Sequence, residues 1–187
     1  VAALDDGEIV FGVVRGDDVR AYPQRILVHH EIVNDRLDGT PVSVTYCPLT
    51  GTVLGFERGP TTFGVSGTLV NSNLVMYDRA TDSRWPQVLG TAIEGPLAGR
   101  ALREFEVVWT TWGRWRRRHP DTEVLSEDTG YARNYGIDPY GSYNPTVRGY
   151  YNRESTMFDP LATDDRLGTK AVVVGVRTAA GATAVSM

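Results

Sequence analysis

The sequence predicts a mainly β domain, an antiparallel sandwich or barrel-like sheet, with one short helix and long irregular tyrosine-rich segments. Three observations carry that expectation. Short runs of alternating apolar and polar residues recur at spacings of about 8 to 12 residues. Turn-forming residues separate them, with 20 glycines and 10 prolines among 187 residues. Only one stretch carries clear helix start and stop signals.

Residues 9–14 and 19–22 flank Arg15-Gly16-Asp17-Asp18, a polar turn that makes them a hairpin. Pro23 ends the second strand, and residues 24–28 read as a short helical turn. Leu37-Asp38-Gly39-Thr40 then turns the chain into a strand over 41–46. There Val42, Val44 and Tyr46 share one face, while Ser43, Thr45 and Cys47 share the other. Residues 52–58, 61–67 and 74–79 are further strands, separated by Gly59-Pro60 and Asn71-Ser72-Asn73. The helix spans 111–118: Thr111 stands at its start, Trp112 and Trp115 lie three apart, Arg116 to Arg118 fill its last turn and Pro120 follows. A solvated face is the expectation for the arginines, and core anchoring for the tryptophans.

From Tyr131 to Tyr151 the chain carries six tyrosines and few aliphatic residues. Tyrosine buries a large ring while keeping a hydroxyl, so this segment predicts an irregular wrap over a core edge. A carbohydrate- or peptide-binding surface is its functional alternative. Residues 1–151 thus form the main β domain, and 152–187 a polar connection followed by a terminal hairpin. That hairpin echoes the first one. Val10-Phe11-Gly12-Val13 and Val173-Val174-Gly175-Val176 align at an offset of 163. The end of the chain therefore reads either as the start of a second repeat or as closing strands of the same sheet. A start at Val1 points to a trimmed N-terminus, and an end in mid-pattern to a chain that continues.

A formal charge of −4 and a pI near 5.4 argue against nucleic acid as a partner. Lys170 is the only lysine among 19 basic residues, and arginine favours fixed, bidentate contacts. No apolar run approaches the roughly 18–20 residues of a transmembrane span, so a homo-oligomer or a membrane-complex partner would act on a soluble chain.

Cys47 is the only cysteine. It stands where a strand meets Pro48-Leu49-Thr50-Gly51, 17 residues after His30. Two chemistries follow. A thiolate, the imidazoles of His29 and His30 and the Met76 thioether form a ligand set soft enough to select copper or another transition metal, with Glu31 or Asn34 orienting a ring. Alternatively Cys47 attacks a carbonyl, His30 serves as base, and Asn34, Asn71 or Asn73 orients it. The bland reading is a structural or assembly subunit, since a buried free cysteine behaves as a small hydrophobe.

Several strings together resemble the bacterial and archaeal domain-of-unknown-function family 3179. They are Arg20-Ala-Tyr-Pro-Gln-Arg-Ile-Leu27, His30-Glu-Ile-Val-Asn-Asp35, Val44-Thr-Tyr-Cys-Pro-Leu49 and Phe63-Gly-Val-Ser-Gly67. Asn71-Ser-Asn-Leu-Val-Met-Tyr-Asp-Arg79, Trp85, Gln87, Gly95-Pro-Leu-Ala-Gly99, His119-Pro-Asp-Thr122 and Asp138-Pro-Tyr-Gly-Ser-Tyr143 extend the match over roughly residues 8–145. The resemblance implies an exported or membrane-anchored protein, hence an extracytoplasmic location. It also suggests that Asn71, Asn73, Trp85 and Gln87 line a substrate cleft. Two departures matter. Family members often carry tryptophan at the position of His29 and a second cysteine at that of Thr50. Thr50 removes a dithiol, leaving Cys47 alone for any shared sulfur chemistry.

Overall fold

The computed structural model describes residues 4–141, 149–178 and 180–187. Its elements run β1 (Ile9–Arg15), β2 (Asp18–Pro23), α1 (Gln24–His30), β3 (Ile32–Leu37), β4 (Thr40–Cys47) and β5 (Thr52–Glu57). Then come β6 (Phe63–Val70), β7 (Asn73–Asp78), β8 (Arg84–Pro86), β9 (Arg103–Phe105), β10 (Val108–Thr111), α2 (Trp112–Arg118) and β11 (Glu123–Val124). A 3-10 turn (Tyr150–Asn152) and the hairpin of β12 (Val173–Thr178) and β13 (Gly181–Ser186) complete it.

Strands dominate and pair almost entirely antiparallel, in the orders β10-β1-β2-β11, β3-β4-β5-β9 and β6-β7-β8. No barrel closes. The arrangement is a sandwich with one layer more than two sheets would give. Phe11, Val13 and Tyr22 from the first sheet meet Val42, Val44 and Tyr46 from the second, sealed by Ile26, Leu27 and Val28 of α1. On the opposite face of the second sheet, Cys47 and Phe56 meet Phe63, Leu74, Met76 and Trp85 of the third. The centre of the second sheet is therefore covered on both sides, which is why six consecutive residues of β4 are buried. The outer face of the first sheet packs Val10 and Ala21 beneath Trp115 of α2.

Trp115 can lie there because Gly12 has no side chain. A Cβ at that position would stand 2.2 Å from the indole Cζ3. The ring's Nε1 donates to Thr122 Oγ1 at 3.0 Å. Both tryptophans thus anchor the core as expected, Trp112 being partly buried beside Trp115. Thr111 occupies the N-cap position, but its side chain makes no cap hydrogen bond.

Among the described residues two helices form where the sequence predicts one. The turn expected over 24–28 continues through both histidines, and Glu31 ends it at φ 58° in the left-handed region. That reversal lets the next residues form β3, a strand the sequence pattern hides, as it hides the short strands β8 to β11. The tyrosine-rich segment is irregular through Gly141 and buries Tyr135, Tyr150 and Tyr151. Part of the expected wrap, residues 142–148, lies outside the described residues. The terminal hairpin pairs only with itself among the described residues, as a separate two-stranded sheet.

Candidate functional site

The residues singled out by sequence separate into three places. Cys47 ends β4 on the face turned toward the third sheet. Its thiol is 1% exposed, packs in one cluster with Met76 and Trp85, and donates to the Ser72 carbonyl at 3.7 Å. Met76 is wholly buried in that cluster, facing Trp85 across the ladder. Sulfur and thioether thus share a core.

The histidines sit elsewhere, at the last turn of α1. His30 Nε2 and the Tyr135 hydroxyl lie 2.6 Å apart, and that hydroxyl lies 2.6 Å from Thr129 Oγ1. His29 Nε2 donates to the Ile137 carbonyl at 3.0 Å. Both rings pack against tyrosines, His29 edge-on to Tyr135 and His30 tilted against Tyr131 and Tyr135. Burial, with Arg133 and His29 nearby, holds the His30 imidazole below its ordinary 6.5. The pair therefore pins the tyrosine-rich segment onto α1. Along β4, Tyr46 faces the core that contains Tyr135, and the next residue, Cys47, faces the other one. No hydrogen bond or ring contact among the described residues joins His30 to Cys47. Among those residues no group of three or more His, Cys, Asp or Glu side chains is placed to hold a metal ion.

The third place is a polar clasp between the second and third sheets. Gln87, wholly buried, donates from Nε2 to Thr45 Oγ1 at 2.9 Å and to the Thr52 carbonyl at 3.2 Å. Its Oε1 accepts from Asn73 Nδ2 at 2.9 Å. Asn73 also donates to Thr50 Oγ1 at 3.0 Å and accepts from the Val88 N–H at 3.0 Å. Nearby, the Asn34 amide copies a strand edge. It donates to the Phe63 carbonyl and accepts from the Phe63 N–H, both at 2.9 Å, and also accepts from Ser43 Oγ at 2.9 Å. At the far end, the buried Asp78 carboxylate accepts from Trp85 Nε1 at 3.0 Å and from the Thr81 N–H at 2.7 Å. Burial opposes its ionisation, but these hydrogen bonds outweigh it and hold the carboxyl below its ordinary 3.8.

So the structure joins Asn73 to Gln87, as the motifs grouped them, with amide bonds spent inside the protein and Trp85 committed to Asp78. Asn71 stands apart. It lies with Ser72 in the turn between β6 and β7, both residues at positive φ. Its Oδ1 accepts from the Leu161 N–H at 2.6 Å, while Ser72 Oγ donates to the Phe158 carbonyl at 2.8 Å. That turn thus ties down the polar connection.

Two further features escape the sequence. A recess of about 280 Å³ is lined by Arg20, Tyr22, Asp35 and Glu123 among others. Its charges are engaged with one another: Arg20 bonds both Asp35 oxygens at 3.0 Å and reaches Glu123 at 3.1 Å, and Tyr22 donates to Asp35 at 2.8 Å. Glu31 is the other. Burial raises its carboxyl above the ordinary 4.5, and no hydrogen bond from a described residue reaches that carboxyl. The left-handed cap was the only signal for it, and backbone handedness at a glutamate is not written in a residue pattern.

A layered all-β domain with a sealed thiol and an inter-sheet amide clasp is what fold and geometry define. The chain belongs to the family described as "Protein of unknown function (DUF3179)", whose model matches residues 1–187, the whole chain. No curated protein and no solved structure matches it. No helix among the described residues is long and apolar enough to cross a membrane.

Proposed function

We propose that this chain is an extracytoplasmic assembly module that holds a β-structured partner by strand addition to its terminal hairpin. The supporting observation is the exposure of β12 and β13. Every residue of both strands is exposed, including Val173, Val174, Val176 and Val185. Elsewhere the protein buries such a pattern, as in β1. A lone two-stranded hairpin is marginal in water, and an apolar pair with open edges is a template for another strand. The extracytoplasmic location draws on the family resemblance.

The Cys47–His30 metal centre and the thiol hydrolase or transferase find less support. A copper site needs a thiolate facing its other ligands, and this sulfur is enclosed with a backbone carbonyl as its polar neighbour. A nucleophile needs access to its substrate, which a thiol buried among Phe56, Leu74 and Met76 lacks.

The test is the native mass of the protein in extracts of its source cells. Lysine at Val174, Val176 and Val185 together should reduce a larger complex to the monomer while leaving the thermal unfolding of the body unchanged. An unchanged complex mass ends this reading. Fractionation of the same cells checks the location, and a cytoplasmic protein would refute it.

A further inference from the structure

The terminal hairpin copies the first one in three dimensions as well as in sequence. β1 pairs with β2 through Val10↔Pro23, Phe11↔Tyr22, Gly12↔Ala21, Val13↔Arg20, Val14↔Val19 and Arg15↔Asp18. Adding 163 to every number gives the pairs of β12 with β13, from Val173↔Ser186 to Thr178↔Gly181. One offset holds for both strands.

The faces match too. In the first hairpin Phe11, Val13 and Tyr22 point into the core between sheets, and their counterparts Val174, Val176 and Val185 are all apolar. Val10, Gly12 and Ala21 lie on the helix side, and their counterparts Val173, Gly175 and Ala184 are identical in type. What differs is the cover. Gly12 lies under the Trp115 ring, whereas nothing stands within 4 Å of a Cβ at Gly175. β1 carries β10 on its outer edge, through Ile9↔Thr111, Val10↔Thr110, Phe11↔Trp109 and Gly12↔Val108. The matching edge of β12 is open among the described residues. The hairpin's side-chain ties to the body run through Arg177, which donates to the Val88 and Leu89 carbonyls and pairs with Glu104 at 3.3 Å.

We propose that β12–β13 is an opening hairpin presented without its cover, and that its occupant is a second unit of this same fold. That unit lays a strand of the β10 kind along β12 and sets the indole of an α2-like helix on Gly175. A strand alone would satisfy the edge. The bare glycine, flanked by Val173 and Ala184, adds a seat shaped for a flat ring. This inference rests on the assembly reading and specifies its partner.

The probe is a synthetic peptide with the sequence of residues 105–124, titrated into the full chain. The readout is hydrogen exchange of the amides of residues 172–175, the counterparts of those that meet β10. Saturating peptide should slow the exchanging edge amides by at least about tenfold. Gly175→Val in the chain should abolish the effect, since a side chain there occupies the ring's seat. A peptide carrying Trp115→Ala should lose most of it. Tethering the wild-type segment behind Met187 through a flexible linker raises its effective concentration to about millimolar and compensates for a weakly ordered peptide. Unchanged exchange in both formats overturns the proposal, as does protection that survives Gly175→Val or Trp115→Ala. The triple-lysine measurement separates the two readings. If those lysines dissolve the native complex while the peptide does nothing, the assembly reading stands and this partner is wrong.

Discussion

Gln87→Ala decides whether the inter-sheet amides serve stability or recognition. The substitution removes two donations, to Thr45 Oγ1 and the Thr52 carbonyl, and one acceptance, from Asn73 Nδ2. Each neutral hydrogen bond contributes about 1 kcal/mol net, and stranding a buried partner costs about 1–3 kcal/mol. Thr45 keeps its donation to the Leu54 carbonyl, and Asn73 keeps Thr50 and Val88, so the lower figure applies to most partners. Losing a buried methylene adds about 0.8 kcal/mol. The sum is about 3–4 kcal/mol. For a chain of this size that lowers the melting temperature by roughly 6–16 °C. Chemical denaturation followed by tryptophan fluorescence gives the free energy directly. A loss below about 1 kcal/mol would refute the clasp and return Gln87 and Asn73 to the list of ligand-binding candidates. Gln87→Glu sharpens the test: it keeps the acceptor for Asn73 but at neutral pH cannot donate, so its deficit should shrink on acidification.

Gly12→Ala should destabilise the protein by about 1–3 kcal/mol by driving a methyl into the Trp115 ring, while Gly175→Ala should leave thermal unfolding of the body unchanged; equal effects would contradict the packing described. The Glu31 carboxyl binds its proton more tightly folded than unfolded, so its ionisation costs stability above neutral-form pH. Stability should therefore rise as pH falls from 7 toward 4.5 and Glu31→Gln should flatten that rise, which denaturant midpoints across the range will show; an unaltered profile refutes it. Asp78 works in the opposite sense, its contribution being lost below pH 3.8 as its depressed carboxyl takes up a proton. Iodoacetamide should label Cys47 at least about tenfold slower in native than in unfolded protein, and equal rates would show the sulfur to be open.

Much of the fold was legible because burial follows simple periods. The alternation in β4 located both cores, and the spacing of Trp112 and Trp115 located α2. β3 was hidden because Asn34 points a polar amide into a buried interface, so the strand lacks the expected apolar alternation. β8, β9 and β11 are two or three residues long and are defined by their neighbours more than by their own sequence. The site was legible as a set of unusual residues and illegible as an arrangement. Strand alternation turns Cys47 toward the third sheet, while the His30 ring meets Tyr135, and neither orientation is written in the spacing of the two residues. Asn73 and Gln87 were grouped as cleft residues, yet no residue pattern reveals that their amides bond each other and partners inside the protein.

A middle strand with no wet side has a consequence for how the chain assembles. Strand β4 offers aromatic and aliphatic groups to one neighbour and hydroxyls to the other, so sliding by a single residue would thrust Ser43 and Thr45 among Phe11 and Trp109 and take the Thr45 hydroxyl from Gln87. Such a frame shift forfeits both interiors at once. The polar groups of β4 thus act as a key that admits one alignment, useful to a chain that must find its pairing before exposed strands find each other.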